Sequence, residues 1–358
     1  MRVGPLSSDS TTRVAVIPGD GIGCEVIAEA TRVLERVAEA RGLDLELVQW
    51  DLGADRYLRD GVTITEDEFK ALDEDHDAIL LGALGDPRVP DNVHARDILL
   101  GLRFRLDLFV NFRPADLLVP SLCPLKGAAE RCIRLEVFRE NTEGIYVGMG
   151  GVFKEGTPDE IAIQESINTR KGVERIVREA FAHAVAHGRG RVTLVDKANA
   201  MPFAGGLWRR TFEVVAGEFG DIETDAVFVD AMAMDLVRRP ERYEVIVTSN
   251  LFGDIISDLA AAVTGGLGLA ASANLHPGRH GLFEPVHGSA PDIAGTGTAN
   301  PIAAIRSVGL LLDFLGQPEA AAGVERAVRA SVQAAETTPD LGGTRSTVDV
   351  GRWIADAL

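Results

Sequence analysis

The sequence predicts an α/β fold built on a mainly parallel β-sheet, for three reasons. Short runs rich in β-branched residues alternate with longer helical patterns along most of the 358-residue chain, and this alternation is typical of successive βαβ units. The length exceeds what one hydrophobic core usually serves, so we expect two domains or one large α/β unit. One segment, residues 144–168, interrupts the alternation and predicts a separate β-hairpin.

The elements of the first hundred residues follow in order. A strand is predicted at "RVAVIPG", a helix at "EVIAEATRVLERVAEA", a second strand at "LDLELVQW" and a third at "DAILLGALG". Each strand run is short and each helical run is long, as βαβ units require. These elements predict one half of a parallel sheet with helices on its faces.

A hairpin and a second alternating series follow. The hairpin is predicted at "GIYVGMGGVFKEGTPDEIAIQESI", two strand runs joined by a turn with glycine, and a projecting hairpin of this kind often interlocks subunits. Helices are predicted near 171–187 and 205–218, with strands at "RVTLVD" and "YEVIVTSN". A buried helix is predicted over 300–316, where Pro301 suits the first turn.

The composition excludes several classes of function. Acidic residues outnumber basic ones, 54 to 36, giving a formal net charge of -18, and this charge repels nucleic acid and anionic membranes. The three cysteines, Cys24, Cys123 and Cys132, include no C-x-x-C pair and cannot form a closed set of disulfides. No stretch of the sequence is predicted to be a secretion signal or a membrane span. We therefore expect a cytoplasmic protein with neither a nucleic-acid nor a membrane partner.

A glycine-rich turn follows the first predicted strand. Gly19, Gly21 and Gly23 have the spacing G-x-G-x-G, whereas a dinucleotide fingerprint needs G-x-G-x-x-G to seat a pyrophosphate on a helix N-terminus. A tight strand-to-helix turn also uses glycine, for positive φ and for close approach of the backbone. These residues alone leave both interpretations open.

A pair of aspartates gives the most informative chemical signal. Asp254 and Asp258 are four residues apart, after a strand and a predicted break at Gly253. On a helix both carboxylates therefore project from one face at the ligand-binding edge of the sheet. A divalent cation would relieve their repulsion, and oxygen ligands suit Mg²⁺ or Mn²⁺. Asp230 ends another apolar run and is a candidate third ligand. The alternatives are a solvated helix start for the pair and an N-cap for Asp230.

Three arginines, a lysine and a tyrosine supply complementary chemistry. Arg103, Arg113 and Arg139 stand beside apolar runs, a pattern that can form a carboxylate or phosphate clamp, although any one of them also fits a surface ion pair. Lys197 follows a predicted strand and is a candidate general base, with Tyr146 as its acid partner; the alternative for both is a structural role. The arginines together with a metal indicate a small polyanionic acid as substrate.

Two histidine-bearing segments complete the set of candidates. Residues 281–301 form a glycine- and proline-rich stretch with His287 and Asp292, and a long loop of this kind is unusual in a compact domain unless it binds a ligand. His183 and His187 have the i,i+4 spacing of metal ligands. Because they have no third ligand, we expect no metal site there.

Eight motifs occur in order along nearly the whole chain: "IPGDGIG", "LDLFVNFRPA", "FRENTEGIY", "VDKAN", "SNLFGDIISDLAA", "EPVHGSAPDIAG", "ANP" and "LGGT". In this order they resemble the isopropylmalate/isocitrate/tartrate dehydrogenase family of metal-dependent β-decarboxylating enzymes. The blocks "GDIISD" and "EPVHGSAPDIAG" are the most specific. The texture of "LGALGDPRVP" and "AAVTGGLGLAASAN" is similar to the isopropylmalate dehydrogenases of actinobacteria.

The resemblance implies a two-domain α/β/α fold with a mixed, mainly parallel sheet that is not a Rossmann fold. Residues 1–108 and 265–358 would form a discontinuous nucleotide-binding domain. Residues 109–264 would form the substrate, metal and dimerisation domain, with a β-arm at about 144–168. The glycine turn would lie beside the nicotinamide, and the adenosine would bind the loop 284–300. On this view the glycine spacing departs from the fingerprint because the fold is different.

The resemblance also implies a role for each candidate residue. The catalytic residues would be Tyr146, Lys197 and Asp230. The substrate-binding residues would be Leu99, Leu100, Arg103, Arg113 and Arg139. The ligands of Mg²⁺ or Mn²⁺, with K⁺ as an accessory ion, would be Asp230, Asp254 and Asp258. The residues that bind NAD would be Ile17, Glu284, His287, Gly288, Ser289, Ala290, Pro291, Asp292, Ile293 and Asn300. Lys197 and Asp230 would reach in from a second subunit, which requires a homodimer with shared active sites.

The implied reaction is the NAD-dependent oxidative decarboxylation of a 3-substituted malate. The metal would acidify the 2-hydroxyl, Lys197 would take its proton as hydride leaves to NAD⁺, and Tyr146 would protonate the carbon after CO₂ departs. Leu99 and Leu100 favour an alkyl substituent. The expected substrate is therefore 3-isopropylmalate, converted to 4-methyl-2-oxopentanoate in leucine biosynthesis or a paralogous pathway.

Departures from the family pattern keep other substrates open. Ala95 and Arg96 stand where isopropylmalate enzymes usually carry an acidic residue, and "RENTEG" is closer to the isocitrate and tartrate/D-malate branches. An inward Arg96 would pair with an anionic substituent, as in isocitrate or homoisocitrate-like acids, whereas we expect it to point outward. A tartrate or D-malate dehydrogenase is the second enzyme candidate. A regulatory paralogue and a phosphate-binding module are the candidates outside this class.

Overall fold

The computed structural model describes residues 11–358 of the chain. Its strands are β1 (Thr12–Gly19), β2 (Leu45–Gln49), β3 (Ala78–Ala83), β4 (Val110–Asp116), β5 (Arg134–Glu140), β6 (Gly150–Phe153), β7 (Ile161–Gln164), β8 (Arg191–Asp196), β9 (Glu223–Phe228), β10 (Val245–Thr248), β11 (Ala271–His276) and β12 (His280–Pro285). Residues 1–10, where the first predicted domain begins, lie outside the described residues.

The helices occur mostly between these strands. They are α1 (Gly23–Arg41), α2 (Ala54–Asp60), α3 (Glu66–Glu74), α4 (Val93–Ala95), α5 (Gly101–Arg105), α6 (Arg170–Ala186), α7 (Pro202–Ala216), α8 (Val229–Arg238), α9 (Asn250–Thr264), α10 (Ile302–Phe314), α11 (Pro318–Gln333) and α12 (Thr347–Asp356). A π-helical turn, Arg96–Leu100, joins α4 to α5. Within residues 11–358, no helix combines the length and the apolar character needed to cross a membrane.

The chain divides into two compact units. Among the described residues, the first comprises 11–108, Asp116–Arg131 and Ala261–Leu358. Its strands lie in the order β2-β1-β3-β12-β11; all neighbouring pairs are parallel except β11 and β12. Every residue of β3 is buried, as expected for a strand covered on both faces.

The second unit comprises Phe109–Ala115 and Cys132–Ala260. Its strands lie in the order β4-β5-β10-β8-β9, and the pairs along β5, β10, β8 and β9 are parallel. β6 and β7 form a separate antiparallel hairpin whose residues are all exposed. Mainly parallel pairing, with β11 and β12 antiparallel, confirms the predicted mixed α/β fold.

Most predicted elements match the structure closely, with one informative exception. The predicted helix near 171–187 is α6, and the predicted helix over 300–316 is α10, with Pro301 as its N-cap residue. The break predicted at Gly253 is wrong, because α9 already begins at Asn250 and runs through the glycine. The reason lies in the packing of that helix, described below.

Candidate active site

Helix α9 starts immediately after the buried strand β10 and passes close to Arg139 at the end of β5. A Cβ atom placed on Gly253 would lie 2.6 Å from both Cβ and Cγ of Arg139. That separation is far below van der Waals contact, so only glycine lets the helix backbone approach the arginine so closely. Gly253 is therefore a packing glycine, and Asp254 lies within α9, one residue after it.

Arg139 is held in one orientation by groups on α9. Its side chain is 2% exposed. Its Nε and Nη2 donate to Oδ1 of Asn250 at 3.0 and 2.8 Å, and its Nη1 donates to Oδ1 of Asp254 at 2.5 Å. Asn250 Nδ2 in turn donates to the carbonyl oxygen of Glu143 at 3.1 Å. Sequence reasoning found Arg139 and Asp254 but missed Asn250, because an asparagine after a strand is also an ordinary helix-start residue.

Arg113, on β4, joins the same group of charges. Its Nη1 donates to Ser257 Oγ at 2.8 Å and lies 3.3 Å from Asp254 Oδ1 and 3.4 Å from Asp258 Oδ1. Burial raises the pKa of Asp258 from its ordinary value; Arg113 opposes that rise, and the neighbouring Asp254 adds to it. The Tyr146 hydroxyl donates to Asp254 Oδ2 at 3.0 Å. The structure therefore brings together Arg113, Arg139, Tyr146, Asp254 and Asp258.

Lys197 and Asp230 form a second, separate pair. Lys197 follows β8, and Asp230 lies in the first turn of α8. Lys197 Nζ donates to Asp230 Oδ1 at 2.5 Å, and this hydrogen bond lowers the pKa of Asp230. Within residues 11–358, no group of three or more His, Cys, Asp and Glu side chains is placed to hold a metal ion. Asp230 of this chain therefore does not join Asp254 and Asp258 of the same chain.

The predicted substituent-binding leucines lie on the π-helical turn of the first unit. Leu99 and Leu100 are both half-buried, and Leu99 packs against the apolar core around β1 and β12. Arg96, on the same turn, is 61% exposed, with its Nε 3.5 Å from Asp97 Oδ1. The arginine thus points outward in this structure, as expected.

Arg103, on α5, is paired within the first unit. Its side chain is 8% exposed, and its Nη2 donates to Glu284 Oε1 at 2.8 Å. Asn274 Nδ2 donates to the same carboxylate oxygen at 2.8 Å. The Nε of Arg103 is buried and has no hydrogen-bond partner among the described residues. Two residues predicted to bind different ligands, Arg103 and Glu284, therefore contact each other directly.

The glycine turn packs against protein backbone. Gly19 has a φ of +75°, and a Cβ there would lie 2.2 Å from the carbonyl oxygen of Ala83. Gly21 has a φ of +55°, and its Cβ would lie 2.2 Å from the carbonyl oxygen of Ser289. Both glycines are thus required by conformation and by close approach. Next to these glycines, Ile22 N donates to the carbonyl oxygen of Ser289 at 2.9 Å. The turn therefore packs directly against the segment predicted to bind the nucleotide.

The residues predicted to bind NAD differ in accessibility. The exposed residues are Gly288, Pro291, Asp292 and Ile293. The half-buried residues are His287 and Ala290. The buried residues are Ile17, Glu284, Ser289 and Asn300. Asn300 Nδ2 donates to Asp340 Oδ2 at 2.9 Å, and its Oδ1 accepts from Ile302 N. The His287 Nε2 is buried and has no hydrogen-bond partner among the described residues.

Two carboxylates that sequence reasoning missed hold the backbone of this region. Glu25, in the first turn of α1, accepts from Gly295 N at 2.5 Å and from Gly297 N at 3.1 Å. Asp20 accepts from Ala54 N at 2.6 Å and from Gly85 N at 2.7 Å. The main-chain amides that they hold leave no signature in the sequence.

His183 and His187 lie side by side at the C-terminal end of α6. Their rings stack at a centroid distance of 3.9 Å, and His183 Nε2 lies 3.2 Å from Oε2 of the buried Glu136. That this pair binds no metal stays a prediction.

Comparison with known proteins gives one family. Residues 13–354 match the family model for isocitrate/isopropylmalate dehydrogenase. The 3-isopropylmalate dehydrogenase of Thermobifida fusca is 50% identical over 353 residues, covering 98% of this chain and 99% of that protein. The Streptomyces coelicolor enzyme of the same name is 50% identical over 344 residues, covering 96% of this chain and 97% of that protein. The crystal structure of an isocitrate dehydrogenase from Methylococcus capsulatus superposes with a TM-score of 0.87 at 36% identity, over 97% of this chain and 99% of that one.

Proposed function

This chain belongs to the isocitrate/isopropylmalate dehydrogenase family, and we propose that it catalyses the NAD-dependent oxidative decarboxylation of 3-isopropylmalate to 4-methyl-2-oxopentanoate. The observation that carries the proposal is 50% identity over 98% of the chain to a 3-isopropylmalate dehydrogenase. The group formed by Arg113, Arg139, Tyr146, Asp254 and Asp258 supports it, because a metal-dependent β-decarboxylation needs carboxylate ligands beside cationic and proton-donating groups. The chain is thus an NAD-dependent β-decarboxylating dehydrogenase.

The carboxylates on α9 fit a divalent cation. Asp254 and Asp258 present oxygen atoms from one helix face, and the like charge of Asp254 contributes to the raised pKa of Asp258, a repulsion that a cation relieves. Oxygen-only ligands suit Mg²⁺ or Mn²⁺. We assign the third carboxylate to Asp230 of the partner subunit, since Asp230 of the same chain does not join the pair. A bound cation would supply Lewis acidity at the hydroxyl and, later, the carbonyl oxygen of the substrate.

The chain's own residues perform binding and proton transfer. Arg113 and Arg139 bind substrate carboxylate, because a buried guanidinium offers planar, bidentate recognition. Tyr146 carries a proton on a hydroxyl held by Asp254 and delivers it to the carbon that loses CO₂. Lys197, held by Asp230, accepts the hydroxyl proton from the neighbouring subunit's substrate. The family resemblance assigns Arg103 to the substrate as well; its Nη2 donates to Glu284 in this structure.

The nucleotide is assigned to the first unit. Ser289 contacts the glycine turn, because its carbonyl oxygen accepts from Ile22 N. Asp292 follows in the same segment and is exposed. A carboxylate at this position would accept hydrogen bonds from the ribose hydroxyls of NAD and repel the 2′-phosphate of NADP. Glu25 holds the next part of the segment by two backbone amides. We therefore propose NAD as the redox cofactor.

A homodimer follows from the assignment of Lys197 and Asp230 to a neighbouring site. The second unit carries apolar side chains that are more than about half exposed and that a partner subunit would cover. They are Met149, Val152, Phe153, Ile161, Ile163, Val185, Phe203, Val214, Met234 and Ile255. Phe203 is the most exposed of these side chains, at 92%. Sedimentation velocity at micromolar concentration is expected to show a dimer, and a monomer that retains full activity would overturn this part of the proposal.

The test of the function is an NADH-absorbance assay with a panel of acids. The panel contains 3-isopropylmalate, D-malate, tartrate, isocitrate and homoisocitrate, each with NAD or NADP and with Mg²⁺ or Mn²⁺. We expect the highest kcat/KM with 3-isopropylmalate and NAD. Arg96→Ala is expected to leave this order unchanged, because Arg96 is outward and 61% exposed. The choice of substrate is overturned if a tricarboxylate has the highest kcat/KM in the wild type and Arg96→Ala removes that preference.

A further inference from the structure

Two buried acid–base pairs anchor the ends of the segment that carries Leu99 and Leu100. At the N-terminal end His94 Nε2 lies 2.7 Å from Asp20 Oδ2, with the side chains 0% and 4% exposed. At the C-terminal end Arg103 donates to Glu284. Between the anchors lies the π-helical turn Arg96–Leu100. Such turns are rare and are found frequently at functional sites.

The acceptor at the N-terminal anchor is itself fixed. Asp20 Oδ1 accepts from Ala54 N at 2.6 Å, and Oδ2 accepts from Gly85 N at 2.7 Å. A Cβ on Gly53 would lie 2.7 Å from Asp20 Oδ1, so the backbone closes tightly around the carboxylate. The backbone amides of Ala54 and Gly85 hold Asp20 in place. The hydrogen bond from His94 to Asp20 therefore fixes α4 relative to these two segments.

Packing alone does not account for a histidine at position 94. Its ring stacks on Tyr57 at a centroid distance of 6.3 Å, and its Nδ1 is buried with no hydrogen-bond partner among the described residues. A buried polar nitrogen without a partner is unfavourable compared with a carbon in the same place. The hydrogen bond that His94 Nε2 donates to Asp20 therefore offsets the cost of burying Nδ1 without a partner.

We propose that His94 is a positioning residue for recognition of the substrate's C3 substituent. Its hydrogen bond to Asp20 fixes the start of the π-helical turn, and the turn fixes Leu99 and Leu100. The π-turn interrupts the α-helical i→i+4 pattern between α4 and α5, and its two ends are where buried side-chain pairs hold it. The inference rests on the proposed function, because it assigns the two leucines to the alkyl group of a 3-alkylmalate.

The experiment compares substrates with and without the substituent. His94→Leu keeps the volume and removes the donor, whereas His94→Gln keeps a side-chain N–H. In His94→Leu we expect kcat/KM for 3-isopropylmalate to fall about tenfold or more relative to D-malate, in the range that one misfitted alkyl group costs. The KM for NAD is expected to be unchanged. His94→Gln is expected to restore the ratio to within about twofold of the wild type.

A matched control separates positioning from general stability. His280 is also a buried histidine of the first unit, 2% exposed, and its Nε2 is 3.0 Å from the carbonyl oxygen of Leu72. His280→Leu is expected to lower the melting temperature without changing the ratio between 3-isopropylmalate and D-malate. An equal loss on both substrates in His94→Leu, or a changed ratio in His280→Leu, would overturn the proposal.

Hydrogen exchange makes the test independent of the reaction. The amides of residues 96–100 are expected to exchange faster in His94→Leu than in the wild type and to recover in His94→Gln. If the wild type does not oxidise 3-isopropylmalate, the proposed function fails, while unchanged exchange at 96–100 overturns the positioning role by itself. If His94→Leu does not fold, His94→Met, which also lacks a side-chain donor, replaces it, and the same two readouts apply.

Discussion

The two units organise their candidate sites by different interactions. In the second unit, charged side chains contact each other: Arg113 and Arg139 converge on Asp254 and Asp258. In the first unit, buried side-chain pairs also occur, but carboxylates in addition hold main-chain amides, as Glu25 does with two glycines and Asp20 does with Ala54 and Gly85. The comparison teaches that residue types reveal the first kind of site, because charge pairs need particular side chains. The second kind stays hidden, because any residue supplies a backbone N–H.

The largest effect is expected at Asp254, where the charge network and the predicted metal site coincide. Asp254→Asn removes a negative charge that contacts Arg113, Arg139 and Tyr146 and a ligand for the cation. We expect kcat to fall by about a thousandfold or more, with circular dichroism unchanged. EDTA is expected to abolish the activity of the wild type, and added divalent metal is expected to restore it. Asp221→Asn, at an exposed position, is the control and should retain activity; full activity of Asp254→Asn or in EDTA contradicts the assignment.

The next largest effect is expected at Asn250, which orients Arg139 without a charge of its own. Asn250→Ala leaves the Nε and Nη2 of Arg139 without the acceptor that now holds them. A freed guanidinium binds carboxylate less well, so kcat/KM for the hydroxy acid is expected to drop about tenfold to a hundredfold. The KM for NAD is expected to stay constant. Asn250→Asp keeps an acceptor and is expected to bind the acid better than Asn250→Ala; equal loss in both variants would show that the acceptor does not matter.

A smaller effect is expected when the backbone-held region is changed. Glu25→Ala frees the amides of Gly295 and Gly297, which follow Asp292 in the same segment. We expect the KM for NAD to rise about tenfold while the KM for the hydroxy acid is unchanged, since each lost charge-assisted hydrogen bond weakens the bound arrangement. Glu39→Ala, at an exposed position of the same helix, is the matched control. A rise in the KM for the hydroxy acid instead of NAD would remove the distinction between the two regions.

Sequence reasoning predicted the mixed α/β fold, the hairpin and the family because each has a local signature. It also found the side chains that meet around Asp254, since paired aspartates and strand-flanking arginines are unusual in themselves. It failed at Gly253, because a glycine in close contact with Arg139 looks the same in sequence as a glycine that ends an element. It missed the contact of Asp20 with His94, which lie 74 residues apart, since their pairing exists only in the folded chain. The domain boundaries and the individual site roles stay predictions.

The smallest effect concerns acid stability and tests whether the second unit depends more on charges than the first. Burial disfavours the ionised form of Glu136, but hydrogen bonds from His183 and Arg189 outweigh it and lower the pKa of Glu136 to about 2. Because the folded-state pKa lies below the ordinary value of 4.5, this carboxylate stabilises the fold above about pH 4.5. That contribution is lost as the pH falls toward 2. Linkage gives roughly 3 kcal/mol for such a shift.

The measurement is hydrogen exchange, resolved by unit, at pH values from 6 down to 3. The wild type is expected to lose protection in β5 and α6 before it loses protection in β1 and β3. Glu136→Gln is expected to be less stable at pH 6 and to show a flatter pH dependence below pH 4.5, because it has no proton to take up. Glu35→Gln, on α1 of the first unit, should leave both profiles unchanged. The idea is contradicted if both units of the wild type lose protection at the same pH and Glu136→Gln keeps the wild-type pH dependence. In that case charge pairing does not make the second unit more sensitive to acid, and the difference between the units is confined to the candidate sites.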